Sequence, residues 1–287
     1  MPCHALTRVT QKKKGEITKR VRIYKFTRLR HNKARRRAAR LTRLMRQLNH
    51  SAEQVLCFQE IQQNSYLALL KRNLTAYTHH AFERNRFAPK GGLYTATRLA
   101  VQSSEFFAYQ NRGRMVSLGV ADWALNKGVL VSRLQVGAQR MIVMNTHLHA
   151  NYGGNWDPEH SFAKIQRDQI EHLADLVNAQ ASDALVIVCG DFNFPRGAFL
   201  YDELLKRTNM FDPLANDPRP TYRPFRIIPG AKKWAIPIDF VLLRLASWPR
   251  LEFKADIHHI QDTTRALPHQ RFLTDHNALS LHVTWDD

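Results

Sequence analysis

Long apolar runs are missing from this 287-residue chain: no stretch approaches the roughly 18 uninterrupted apolar residues that a membrane-spanning helix requires. The amino-terminal stretch also lacks the apolar centre of a signal peptide, so export by that route is not expected. Cysteine is scarce. Cys3, Cys57 and Cys189 are an odd set that cannot pair fully, and the last two sit inside apolar runs where a thiol behaves as a small hydrophobe. That pattern excludes a disulfide-stapled secreted domain and leads us to expect a reducing, cytoplasmic setting, with peripheral contact at a membrane still open. Acid is nearly absent from the first 50 residues, where seventeen lysines and arginines face only Glu16. The chain is formally +19, so the other 237 residues carry only about +3 and the basic character belongs to one end.

What is present is enough apolar content, 44%, to bury a large core in one domain. Residues 1–20 are lysine-rich and aperiodic and read as a basic, flexible leader, leaving 21–287 as the folded domain. Residues 21–27 read as a first strand. Ala34, Ala38, Leu41, Met45 and Leu48 then recur at helical spacing, with Arg36, Arg40, Arg43 and Arg46 largely elsewhere on the wheel. The plain reading of this helix is that it covers a sheet and leaves its basic face in water.

A strand over 55–59 and a helix with Tyr66, Leu69 and Leu70 inside follow. Residues 91–96, 115–118, 129–132 and 141–146 read as four short strands, with no room for helices between the later ones, so antiparallel pairing is expected. A helix over 162–179 leads into a strand ending at Asp191. Pro213, Pro218, Pro220, Pro224 and Pro229 exclude regular structure from their stretch. The fold class expected is α/β of the α+β type: a four-layer sandwich of two mixed β-sheets flanked by helices.

The chemistry gathers at strand ends. Val186-Ile187-Val188-Cys189 runs into Gly190-Asp191-Phe192-Asn193, Val55-Leu56-Cys57-Phe58 into Gln59-Glu60, and Met141-Ile142-Val143-Met144 into Asn145-Thr146-His147. Asp239 lies within Ile238-Asp239-Phe240, and Thr274-Asp275-His276 precedes Ala278-Leu279-Ser280-Leu281. Any one of these reads as an ordinary turn. Five together, all acid, amide or imidazole, point to a cleft. Oxygen ligands from Glu60, with Asp191, Asn193, Asp239 and Asp275, suit magnesium or manganese rather than zinc, which favours thiolate and imidazole. With His147 and His276 they are the parts needed to hydrolyse a phosphoester.

The order and spelling of these segments resemble the endonuclease/exonuclease/phosphatase superfamily, over roughly residues 21–285. Asn145-Thr146-His147-Leu148-His149-Ala150, Leu273-Thr274-Asp275-His276 and Asp122-Trp123-Ala124-Leu125-Asn126-Lys127-Gly128 are most similar to its neutral sphingomyelinase branch, where an aspartate and a lysine five residues later form a regulatory pair. The resemblance implies that Glu60 is the principal metal ligand and that His276 is the general base, oriented by Asp239 or Asp275. It implies that Asp191 positions the attacking water, that Asn193 holds a phosphate oxygen, and that His147 donates to a phosphate oxygen or the leaving group. Lys127 either touches phosphate or is a solvated loop lysine, and Asp122 shares that ambiguity. His149 reads as a structural histidine, and Gly91-Gly92 as a turn that permits close backbone approach. The superfamily's first strand ends in an asparagine that supports the metal; here Thr27 stands at that place, a poorer oxygen donor.

The resemblance therefore implies a divalent-metal-dependent phosphodiesterase, expected to act as a monomer on a phospholipid headgroup. A nuclease or DNA-repair phosphodiesterase on the same scaffold is the rival, and a binding protein that has lost its metal is a third reading. The basic leader is expected to contact an anionic surface. Deleting residues 1–18 is predicted to weaken binding to anionic vesicles or to DNA, and to flatten its salt dependence, while turnover of a small soluble phosphodiester stays unchanged. Unchanged binding to both polyanions, measured by co-sedimentation and filter retention, removes the leader from attachment.

Overall fold

Every residue of the strand Leu185–Asp191 is buried, because both faces of the strand are covered. The computed structural model describes residues 18–26, 34–113, 125–223, 235–247, 251–261 and 274–286. Its strands are β1 (Thr18–Phe26), β2 (Val55–Phe58), β3 (His79–Ala81), β4 (Tyr94–Thr97), β5 (Val101–Ala108), β6 (Gly128–Val136), β7 (Gln139–His147), β8 (Leu185–Asp191), β9 (Asp239–Arg244), β10 (Glu252–His258) and β11 (Ala278–Asp286). Among the described residues four α-helices accompany them: α1 (Ala34–Asn49), α2 (Asn64–Asn73), α3 (Ser161–Asn178) and α4 (Phe199–Thr208).

The strands form two sheets, in the orders β10-β11-β1-β2-β4-β3 and β5-β6-β7-β8-β9. Each is mixed, with one parallel pair, β1 with β2 and β7 with β8, among antiparallel neighbours. Alternation along each strand shows how they stack. Leu185, Ile187 and Cys189 of β8 share one cluster with Val55, Cys57, Leu279, Leu281 and Trp285 of the other sheet. Val186 and Val188 instead pack with Ile170, Leu173 and Val177 of α3 and Leu200 and Leu204 of α4. On the far side, Leu41, Leu44, Met45 and Leu48 of α1 and Tyr66, Leu67 and Leu70 of α2 cover Leu56 and Phe58. The order helix, sheet, sheet, helix is the expected four-layer sandwich, and α1 takes the sheet-covering role read from its periodicity. Among the described residues no helix is long and apolar enough to cross a membrane.

Several elements differ from the sequence reading. The first strand starts at Thr18, three residues before the expected boundary, because Thr18, Lys19 and Arg20 extend the pairing with β11. The strand expected over 91–96 begins at Tyr94; Lys90–Gly92 is a 3-10 turn in which Gly91 and Gly92 sit at φ of 66° and 65°, outside strand geometry. Short β3, the largely exposed β5 and β10, and helix α4 were not anticipated. Both described cysteines, Cys57 and Cys189, are buried thiols. The strand expected over 115–118, Thr27 and Asp122 lie outside the described residues.

Two glycines set how closely strands approach. A Cβ on Gly190 would overlap the carbonyl oxygen of Thr146 on β7, and one on Gly128 would overlap the carbonyl oxygen of Phe107 on β5. Neither neighbour can yield, since each is backbone within a ladder. Gly190→Ala is therefore predicted to destabilise the fold by about 3 kcal/mol or more. Gly197→Ala, which meets nothing within 4 Å and only loses a favourable φ of +83°, should cost about 1 kcal/mol. Chemical denaturation of the two variants tests the contrast, and equal midpoints would refute it.

Candidate active site

Register places the polar residues in a row. His147 at the end of β7 pairs with Asp191 at the end of β8, and Asp191 pairs with Asp239 at the start of β9. β9 and β6 run antiparallel to these strands, so their first residues share an edge with the last residues of β7 and β8. Lys127, directly before β6, joins the same edge. β11 in the facing sheet brings His276 there just before its first residue.

The histidine and the carboxylates are ordered by short bonds. His276 Nδ1 lies 2.8 Å from Asp239 Oδ2, and its Nε2 lies 3.8 Å from Asp191 Oδ2. His147 Nε2 also stands 3.8 Å from Asp191 Oδ2. Asp239 therefore takes the orienting place at His276: its carboxylate accepts the Nδ1 proton, and Nε2 faces Asp191. Asp275 meets Arg223. Its backbone oxygen accepts from Arg223 N at 2.8 Å, and its charge partly offsets the burial that pushes the Arg223 guanidinium down to about 10. Thr221 Oγ1 accepts from the backbone nitrogens of Ile238 and Asp239, both at 3.0 Å, and Thr274 Oγ1 accepts from His276 N at 3.1 Å. Tyr222 lays its ring 5.0 Å from the His276 imidazole.

Lys127 is not a solvated loop lysine. It is 2% exposed, and Nζ donates to His147 Nε2 at 2.9 Å and to Leu148 O at 2.6 Å. An ammonium only donates, so in this arrangement the shared proton rests on Lys127 and His147 accepts at Nε2. Leu148 O also accepts from Asn193 Nδ2 at 2.9 Å. Asn193 adopts φ of 56°, a left-handed conformation that asparagine tolerates, and its N–H donates to Asp191 Oδ1 at 3.0 Å. Trp156 Nε1 and Gln166 Nε2 hold its carbonyl at 3.1 and 2.9 Å. His149 is buried under Phe162, with rings 5.6 Å apart, which fits its structural reading.

Glu60 comes from the facing sheet, at the end of β2, and is half-buried at φ of 58°. Gly92 packs beneath it: a Cβ there would lie 3.3 Å from Glu60 Cα, and Ile61 N donates to Gly92 O at 2.9 Å. The close approach read from Gly91-Gly92 thus serves Glu60. One residue earlier, Gln59 Nε2 donates to Asn145 Oδ1 at 2.5 Å, and Asn145 Nδ2 donates to Phe58 O at 3.1 Å and Tyr94 O at 3.2 Å. This buried amide ties β2 and β4 of one sheet to β7 of the other, beside the row.

Among the described residues Asp191, Asp239 and His276 form a group whose ligand atoms all lie within 4.8 Å of one another. Because Asp239 already accepts from His276, that group is better suited to holding a proton than a cation. A hard cation fits oxygen donors at this edge, with Glu60 approaching from the other sheet, and both described cysteines are interior, so a thiolate site is excluded there. Thr221 and Tyr222 were not anticipated. Both sit in the proline-rich stretch, where no periodicity signals a role.

The sequence matches the family described as Endonuclease/Exonuclease/phosphatase over residues 23–276. A putative neutral sphingomyelinase of Drosophila melanogaster is 25% identical over 181 residues, which is 63% of this chain and 40% of that protein. The chain thus spans less than half the length of that relative. A double mutant of beta toxin from Staphylococcus aureus with bound magnesium ions has a TM-score of 0.66 at 13% identity, covering 92% of this chain and 99% of that one. TDP2 of D. rerio complexed with single strand DNA product has a TM-score of 0.66 at 15% identity, covering 92% and 98%. At such identities the likeness is one of fold.

Asn145→Ala is predicted to cost about 2–4 kcal/mol, since it leaves Gln59 and two buried carbonyls without their amide. It should also lower turnover more than a core variant of equal stability loss, such as Leu173→Ala, because it releases the strand end that carries Glu60. Equal turnover in the two variants would show that Asn145 acts on stability alone.

Proposed function

Since the chain belongs to the endonuclease/exonuclease/phosphatase family, we propose that it is a divalent-metal-dependent phosphodiesterase that hydrolyses a phospholipid headgroup ester in the manner of a sphingomyelinase. The observation that carries the chemistry is the His276–Asp239 pair, 2.8 Å apart, with Nε2 of His276 3.8 Å from Asp191. Held by Asp239, His276 takes a proton from water at Nε2, while Asp191 orients that water toward phosphorus. Asn193 spends one amide proton on Leu148 O and offers the second to a phosphate oxygen. Lys127 and His147 act as one donor unit: the ammonium brings positive charge to the phosphate and passes a proton toward the leaving oxygen. Glu60 is the ligand proposed for magnesium or manganese, with Thr27 as a supporting donor. A cation held there supplies charge neutralisation at the phosphoryl group.

The curated relative supports a lipid substrate, and the fold shared with TDP2 together with the basic amino-terminal end supports DNA as the second reading. A magnesium-dependent turnover panel of choline phospholipids, inositol phospholipids and plasmid DNA separates them, and cleavage of DNA alone would overturn the lipid assignment. Glu60→Ala should abolish magnesium-dependent hydrolysis with little loss of stability, and full activity at ordinary magnesium would remove Glu60 from the metal. His276→Ala should lower turnover by about a hundredfold or more while substrate binding changes far less. If binding is lost and turnover kept, the base is not His276.

A further inference from the structure

The loop that joins β3 to β4 holds a phenylalanine out in water. Phe87 is 73% exposed, the most of any large apolar side chain among the described residues. A lone exposed ring is ordinary, so its meaning depends on what surrounds it. The backbone beneath it is tied down: Asn64 N donates to Phe87 O at 2.8 Å, and Asn64 Nδ2 donates to Asn85 O at 3.1 Å and Arg86 O at 3.0 Å. Lys90 N donates to Glu83 O at 2.9 Å and closes the base of the loop. The ring therefore stays out although the chain around it is fixed.

Charge and place give the exposure a direction. Arg84, Arg86 and Lys90 share the loop with the single acid Glu83, which Lys90 pairs at 3.4 Å, and the Arg86 guanidinium lies 5.2 Å from the Phe87 ring centroid. Asn64 opens α2 four residues after Glu60, and Gly92, just past the loop, packs on the backbone of Glu60 and Ile61. The ring and its cations thus stand on the rim that carries the proposed metal ligand. Single-stranded nucleic acid is bound through successive aromatic platforms. Here the neighbouring Phe82 is half-buried, with Tyr94 6.2 Å and Lys71 5.1 Å from its centroid, which leaves Phe87 as the one exposed ring of the loop and favours a membrane.

We infer that the loop over residues 83–90 is an interfacial anchor: Phe87 enters the acyl boundary of an anionic phospholipid surface while Arg84 and Arg86 meet headgroup phosphates, seating the cleft on its substrate. The inference rests on the phospholipid reading above. The full chain is tested by flotation with phosphatidylcholine vesicles with and without phosphatidylserine, beside turnover of bis(p-nitrophenyl) phosphate in solution and binding of single-stranded DNA. Phe87→Ala should weaken vesicle affinity about tenfold and leave turnover of the soluble ester unchanged. Phe87→Trp should keep the affinity, with tryptophan emission shifting to the blue on vesicles beyond the shift of the parent chain. Arg84→Gln with Arg86→Gln should lose affinity only where phosphatidylserine is present, roughly fivefold for each neutralised charge. The anchor is overturned if the parent chain ignores vesicles, if Phe87→Ala binds them as the parent does, if Phe87→Trp emission does not move, or if Phe87→Ala loses DNA affinity alone. If the parent hydrolyses no phospholipid yet Phe87→Ala still loses vesicle affinity, the anchor stands and the substrate reading falls.

Discussion

The side chain of Asn145 registers the two sheets at the end where the chemistry is gathered. A buried amide without partners is costly, and this one accepts from Gln59 while donating to Phe58 and Tyr94. Those partners lie on β2 and β4 of the facing sheet, so satisfying one polar group joins the layers at a definite height. Deeper between the sheets the layers meet through apolar contacts, which tolerate sliding far better than directional bonds do. Glu60 is one residue from this joint on one side and His147 two residues from it on the other.

Strand direction does the rest of the assembly. Parallel β7 and β8 finish at the edge where antiparallel β6 and β9 begin, so residues far apart in sequence, Lys127, His147, Asp191 and Asp239, arrive side by side. His276 completes the group from the other sheet by its bond to Asp239. Burial makes these pairings strong: an ammonium, two imidazoles and two carboxylates hidden from water are stable only with close partners. The structure supplies them at Lys127 and His147 and at His276 and Asp239.

Much of this was legible before any fold was known. The apolar run before Asp191 marked a strand covered on both faces, and the acid, amide and imidazole residues after such runs marked the edge. Other parts carried no local signal. β5 and β10 are mostly exposed, so their polar sequences lack the alternation that betrays a half-buried strand. Helix α4 follows a turn and precedes the proline-rich stretch, and only its buried Leu200, Tyr201 and Leu204 reveal it. Sequence offered both Asp239 and Asp275 as partners for His276, because adjacency along the chain says nothing about which carboxylate a pairing ladder delivers. Lys127 read equally as a phosphate contact or a solvated loop lysine for the same reason: its burial comes from β7, twenty residues away.

The split of the site across two sheets gives the interior a further role. Cys57 and Cys189, small side chains in the layer between the sheets, lie two or three residues below Glu60 and Asp191. Packed sheets stand about 10 Å apart, a spacing decided by the volume of the side chains between them. The gap between the carboxylate of one sheet and the carboxylates of the other is thus a dimension of the core, as the opening of a caliper is set by its screw. A bulkier residue at either cysteine would widen the jaws without touching substrate, and a remote packing change would then register as altered catalysis.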